Sequence, residues 1–180
     1  MSDQLALFDI GPASSHIGDR TVGYRAPVVQ SITGVTYRQL DYWARTDLIR
    51  PSVRGATGSG SQRLYSFADI VIVRVIKRLL DTGISLQNIR TAVALLRERG
   101  ADDLSTITLI SDGMSIYECT DADDVIDLLA GGQAVFGIAL GQTVADVRGS
   151  VHQFPAESAM PGSTLASGHV DELAERRRAG

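Results

Sequence analysis

From Tyr24 to Arg99 apolar residues recur at spacings of three and four in short blocks, each closed by a glycine, a proline or a capping residue. In the block Thr36 to Arg45, Leu40 and Trp43 lie three apart and Ala44 lies four from Leu40, so these side chains share the inner side of a helix. Tyr37, Arg38, Gln39, Asp41, Tyr42 and Arg45 are left around its outer surface. Just upstream, Thr33-Gly34-Val35 reads as a tight turn, because glycine accepts the positive φ that ends one helix and Thr36 then caps the next. Two short helices meeting there predict a helix-turn-helix.

The pattern then changes twice. Leu48-Ile49-Arg50-Pro51 is a short apolar run ended by proline, residues 52–61 contain three glycines, and Gln62-Arg63-Leu64-Tyr65 alternates as a strand does. This predicts a hairpin wing beside the helix pair. Ser66 with Asp69 three residues later reads as a helix start close to a capping box. The helix it opens places Ile72, Val75, Ile76 and Leu79 on one stripe and Arg74, Lys77, Arg78 and Asp81 on another. Gly83 stops it, Ser85 caps a further helix, and Ile89, Ala92, Val93 and Leu96 form that helix's buried stripe. Past Gly100, Thr106–Ile110 and Ser115–Cys119 are β-prone runs joined by Asp112-Gly113, a hairpin signal. Thr120 is placed to cap a helix from Asp121 to Ala130, Gln133–Leu140 reads as a third strand, and Val144, Val147, Val151 and Phe154 predict a last helix. Pro155 to Gly168 is rich in Ala, Gly, Ser and Pro and is expected to lack structure, with a frayed helix at Asp171–Arg178. The fold class is therefore α+β: a mainly helical unit at 23–100, a small α+β module at 102–154, a flexible arm at 1–22 and a mostly disordered tail at 155–180.

Gly34-Val35-Thr36 with Arg38, Leu40 and Tyr42-Trp43, then Leu48-Ile49 and Pro51, then Arg63-Leu64-Tyr65-Ser66 with Asp69-Ile70, then Gly83-Ile84-Ser85-Leu86 with Ile89, resembles the winged helix-turn-helix of MerR-type bacterial transcription regulators. The resemblance implies a DNA-binding dimer with one recognition helix in each major groove and the wings on flanking backbone. By position it implies that Thr36, Tyr37, Arg38, Gln39, Tyr42 and Arg45 face DNA from the helix and Arg54, Gln62, Arg63 and Tyr65 from the wing. Arg38 and Gln39 are expected to read base edges, the others to hold the backbone. The wing tip is longer and richer in Gly and Ser than is usual in such proteins, and the long coiled-coil helix of a typical member is not visible.

Charge sharpens this picture. The net charge of −4 argues against a nucleic-acid partner only if it is evenly spread. From Arg20 to Gly100 there are 13 Lys and Arg against 5 Asp and Glu, from Ala101 to Gly180 there are 4 against 13, and the first 19 residues hold three acids. A basic part is joined to an acidic one, and only the basic part needs to sit on phosphate. No apolar run reaches the ~20 residues of a membrane span, the N-terminus lacks a basic start, and a cytoplasmic location is expected. One cysteine, Cys119, excludes an internal disulfide. Asp121, Asp123, Asp124 and Asp127 lack the ligand alternation of a calcium loop, and His16, His152 and His169 are scattered, so no metal site and no cofactor are expected. No nucleophile with its base and oxyanion cradle is visible, so no catalytic residue is assigned.

The leading reading is a sequence-specific transcriptional regulator, binding a roughly palindromic operator as a homodimer, with double-stranded DNA and RNA polymerase as partners. The acidic module, aided by the helix from Leu86 to Arg99, is expected to pair the subunits. Two alternatives stay open. In one, the C-terminal module senses a ligand. In the other, the chain is a DNA-bound adaptor: Gln4-Leu5-Ala6-Leu7-Phe8 resembles the short sliding-clamp-binding motif, or these apolar residues pack on the protein itself.

Overall fold

Pro27 stands in the first turn of α1 (Ala26–Thr33), where the N–H it lacks would have had no partner within the helix. The computed structural model describes residues 21–55, 62–99, 101–131 and 136–158. α1 ends at Gly34, whose φ is +74° and whose N–H closes on the Gln30 carbonyl at 2.9 Å. α2 (Tyr37–Arg45) follows at once, so the helix-turn-helix predicted from the turn glycine is present. α3 (Phe67–Asp81) opens on a full capping box of Ser66 and Asp69, and α4 (Leu86–Arg97) opens on Ser85. The predicted inner positions of α3 and α4 are all buried. On α3 burial extends beyond a stripe, to Ile70, Val71 and Val73, because this helix is packed by α1, α4 and a later helix on different sides.

Two strands escaped the sequence pattern. β1 (Val22–Arg25) pairs antiparallel with β2 (Leu64–Tyr65) and, on its other edge, with β6 (Glu157–Ser158). Tyr24 lies opposite Tyr65 and Val22 opposite Ser158, and an ion pair joins Arg25 to Glu157 across the second seam. Val22 therefore belongs to a strand rather than to a flexible arm, and Glu157–Ser158 to a strand rather than to a disordered tail. The two segments satisfy each other's backbone groups from distant parts of the chain, which no local signal announces. Residues 1–20, including Gln4, Leu5, Leu7 and Phe8, and residues 159–180 lie outside the described residues, as do the wing tip at 56–61 and the start of the expected third strand at 132–135.

The second half begins with α5 (Ala101–Leu104). β3 (Thr108–Ser111), β4 (Ile116–Cys119) and β5 (Phe136–Ala139) then form an antiparallel sheet in the order β4-β3-β5. Gly113 turns the β3–β4 hairpin at φ +90°. There the Asp112 carboxylate accepts the N–H groups of Ser115 at 2.6 Å and Met114 at 2.8 Å, which hold it below the usual carboxylate range. α6 (Ala122–Ala130) is capped by Asp121, not by the expected Thr120: the Asp124 N–H donates to the Asp121 carboxylate at 2.9 Å, where a negative charge also favours the helix dipole. β5 stops at Ala139, and Leu140 already opens α7 (Leu140–Val151).

α7 lies along α3, and Leu104, Ile107, Leu109, Ile138, Leu140, Val144, Val147 and Val151 join the same buried cluster as the helices of the first half. The reversal of charge near Gly100 is thus not a gap in the core. Across the seam Arg78 donates to the buried hydroxyl of Thr143 at 3.0 Å. The approach of α7 to α5 is close enough to require a glycine, since a Cβ on Gly141 would stand 2.7 Å from the Ser105 carbonyl oxygen. Gly141→Ala is expected to cost ~1–3 kcal/mol by overpacking, lowering the melting temperature by roughly 2–10 °C in a chain of this size. Gly149→Ala on the same helix has nothing within 4 Å of the added carbon and should leave the melting temperature level or raise it. Equal melting shifts for the two variants would contradict the close approach.

Candidate nucleic-acid interface

α2 is built from its first residue to present one face. The Gln39 backbone N–H donates to the Thr36 hydroxyl oxygen at 3.2 Å, while the Gln39 side-chain oxygen Oε1 accepts the Thr36 N–H at 2.9 Å and its hydroxyl at 3.1 Å. Leu40 and Trp43 are driven into the core by their spacing. Tyr37 is left 62% exposed and Tyr42 53% exposed, large rings held in water. Arg38 is exposed and makes no ion pair among the described residues. One expectation needs correction here. Bidentate recognition of adenine by glutamine uses both the amide oxygen and the amide nitrogen, and the oxygen of Gln39 is committed to the helix cap.

Behind this face the helix is held from several sides. Arg90 of α4 donates to the Thr46 carbonyl at 2.8 Å, and Arg97 to the Asp47 carbonyl at 3.5 Å. Both place positive charge at the C-terminal end of α2, where the helix dipole favours it. Arg74 of α3 does the same for α1 through the Ile32 carbonyl at 2.9 Å. Asp47 adopts φ of +61° to turn the chain out of α2, and its carboxylate pairs with Arg50 and faces Arg97 at 4.0 Å. Several cations counted toward a basic surface therefore serve the scaffold. The signal was present only as composition, because their acceptors lie up to 50 residues away in sequence.

The wing joins the helix through one acid. Arg54 and Leu64 form a backbone bridge, the Leu64 N–H meeting the Arg54 carbonyl at 2.8 Å, and the Arg54 guanidinium donates to the Gln62 carbonyl at 3.3 Å. Gln62 is exposed and Arg54 half-buried at the base of the loop. Arg63 reaches back to α2, where its Nη1 donates to Asp41 Oδ1 at 2.8 Å, and Arg45 Nε meets Asp41 Oδ2 at 2.9 Å. Bonding to Arg63 holds the Asp41 carboxyl below its usual range. Tyr65, expected on the DNA side, is fully buried instead. Strand alternation fails at β2 because Tyr65 enters the main core while Leu64 is buried on the other side of the strand, so both faces are covered. Burial pushes the Tyr65 hydroxyl up to about 12, and its oxygen has no hydrogen-bond partner among the described residues.

The base of the wing is tied to α3. Asp69 Oδ2 accepts the Ser52 N–H and hydroxyl, both at 2.8 Å, and the Ser66 N–H at 2.9 Å. Elsewhere, Cys119 is buried, and burial together with the charges of Asp124, Asp121 and Glu118 pushes its thiol up, away from the reactive thiolate. Among the described residues no group of three His, Cys, Asp or Glu is placed to hold a metal ion. No helix among them is long and apolar enough to cross a membrane.

A short helix capped at a glycine turn, an exposed polar second helix and a hairpin clamped to it define a winged helix-turn-helix of DNA-binding type. Residues 24–96 match the family described as MerR HTH family regulatory protein. HTH-type transcriptional regulators of Mycobacterium bovis and Mycobacterium tuberculosis are each 57% identical over 162 residues, covering 90% of this chain and 72% of theirs. The HTH-type transcriptional regulator HmrR of Sinorhizobium medicae is 32% identical over 80 residues, 43% of this chain and 52% of that one. The chain belongs to the MerR family of helix-turn-helix transcriptional regulators.

Proposed function

We propose that this regulator binds a roughly palindromic operator as a dimer, with α2 of each copy in a major groove and the wings on the flanking backbone. The observation that carries the reading is the face of α2: Tyr37, Arg38 and Tyr42 stand exposed on a helix whose ends and inner side are bonded to the rest of the fold. Arg38, unpaired, is the residue for base edges. Thr36, Gln39, Arg45, Arg54, Gln62 and Arg63 supply backbone contacts around it. The support for a second copy is apolar exposure: Leu86 and Leu95 stand out from α4, and Asn88 bonds the Met114 carbonyl, bringing the exposed Met114 turn beside that helix. Selection of bound sites from random duplex DNA with the full chain tests the whole reading, returning specificity, half-site spacing and symmetry together.

Arg38→Ala should weaken binding to the selected site on the order of tenfold or more, the scale of a lost bidentate base contact, and should flatten the preference among sites. Arg54→Ala should weaken all duplexes alike and make the dependence of log K on log salt shallower by about one. Titration of each variant against selected and scrambled duplexes separates these outcomes; a uniform loss in Arg38→Ala would remove it from base readout.

A ligand-sensing regulator is the second reading. It is favoured by an open polar cleft of about 500 Å³ that touches Thr33 and Gly34 of the turn, Arg74 and Arg78 of α3, and Gln142 and Asp146 of α7. Thermal shift of the full chain against a metabolite panel, with and without operator DNA, tests it.

A further inference from the structure

We propose that Asp41 is a specificity-determining positioning residue: its single carboxylate clips one arginine of the recognition helix and one of the wing into fixed places, so that only a backbone of matching path meets both. The inference rests on the DNA-binding reading above and adds to it a residue that is not itself a DNA contact. An acid at this position looks like a mistake. α2 and the wing are the parts that approach phosphate, and a carboxylate there repels it. Asp41 nevertheless lies on the same side of α2 as Tyr37 and Arg45, four residues from each.

The geometry resolves the conflict. The two oxygens of Asp41 are used separately, Oδ1 by Arg63 Nη1 at 2.8 Å and Oδ2 by Arg45 Nε at 2.9 Å. The side chains of Asp41 and Arg63 are 18% and 23% exposed, so this pair is partly withdrawn from water, while Arg45 at 74% remains open to solvent. Arg63 directly precedes β2 in the wing and Arg45 stands in the last turn of α2, so this one carboxylate joins wing and helix directly. A long arginine without such a partner samples many rotamers and finds a phosphate on almost any duplex. An arginine whose guanidinium is already bonded presents its remaining donors from one place, so a misplaced backbone gains little from it. The negative charge also lowers the attraction to DNA in general. Asp41 thus exchanges affinity for discrimination, which is how specificity is obtained by penalising wrong partners.

Asp41→Asn is nearly isosteric, removes the charge and releases both arginines. Binding of the full-length variant to the site selected by the wild-type protein, and to a scrambled duplex of equal length, is measured across a salt series. The expected result is tighter binding to the scrambled duplex, a log K against log salt slope steeper by about one for each arginine that gains a phosphate, and a preference for the selected site reduced on the order of tenfold, the scale of one mismatched base pair. Asp41→Glu keeps the charge and should recover most of the preference. Arg63→Gln, which leaves the acid but opens the clip, should also lose preference, though with a shallower slope, and so supports the same conclusion if Asp41→Asn does not fold. Wild-type protein that shows no preference for any duplex overturns the DNA-binding reading and this inference with it. Wild-type preference with an unchanged ratio in Asp41→Asn, or in Arg63→Gln, overturns the inference alone.

Discussion

A chain cut after Gly100 is expected to lose its cooperative unfolding transition rather than to fold as an isolated DNA-binding domain. The cut removes α7 from α3 and with it Leu140, Val144, Val147 and Val151, together with Leu104 and Ile107 from the segment before β3, all buried in the core shared with the helix-turn-helix. At ~1.5–3 kcal/mol for each fully buried aliphatic side chain, these six contribute on the order of 10 kcal/mol, as much as the whole net stability of an ordinary domain. The cut also strips β6 from the outer edge of β1 and leaves Arg78 without Thr143. Circular dichroism melts and dye binding to exposed apolar surface check this: a broad or absent transition with strong dye uptake is the expected outcome, and a sharp transition within a few degrees of the full chain would refute it. The consequence for oligomeric state is practical. Truncation cannot report whether the C-terminal half pairs two copies, because it removes part of the core, whereas Leu95→Lys on the exposed face of α4 can be examined by sedimentation with the fold intact.

The second large effect is expected at Asp69. Asp69→Ala should cost ~2–4 kcal/mol, combining the loss of a helix-capping partner with buried donors left unpaired. Operator affinity should fall further than the loss of folded protein explains, because Ser52 at the base of the wing is held to α3 through this carboxylate. Asp69→Asn keeps an acceptor oxygen and should retain most of both. Burial raises the Asp69 carboxyl above its usual range, and the bonds from Ser52 and Ser66 only partly offset this. The native state therefore binds the proton more readily than the unfolded chain. The associated stability is fully present below the unfolded pKa and is lost as pH rises through the raised folded one. Asp69→Asn carries no such loss, so its melting temperature relative to wild type should improve as pH rises through the raised carboxyl range. A relative melting temperature that instead falls over that range would mean that the accepted hydrogen bonds outweigh desolvation.

Asp69 shows how far the residues alone could be read. Its role in the capping box follows from Ser66 three positions away, and that box is present. Its hold on Ser52, 17 residues upstream, does not follow from any spacing. The same division separates Thr36, whose cap on α2 was legible, from Tyr65, whose burial was not. An alternating strand of four residues predicts one dry and one wet face, and only the neighbours on both sides of β2 remove the wet one. Arginines divide likewise. Arg38, Arg45, Arg63, Arg74 and Arg90 are equivalent as formal charges, yet in the folded chain Arg38 is unpaired among the described residues, Arg45 and Arg63 share Asp41, and Arg74 and Arg90 close helix ends.

The helix-turn-helix, its caps and glycine turns, the inner stripes of α3 and α4 and the β3–β4 hairpin were legible in the residues alone, because each rests on interactions within about one helical turn or one tight turn. Packing between distant segments sets the core that both halves share, the pairing of β1 with β6, and which charged groups of the α2 face and wing are unpaired among the described residues. Those outcomes depend on groups brought together from 17 to 136 residues apart, where the chain's local preferences are silent and packing alone selects the partner.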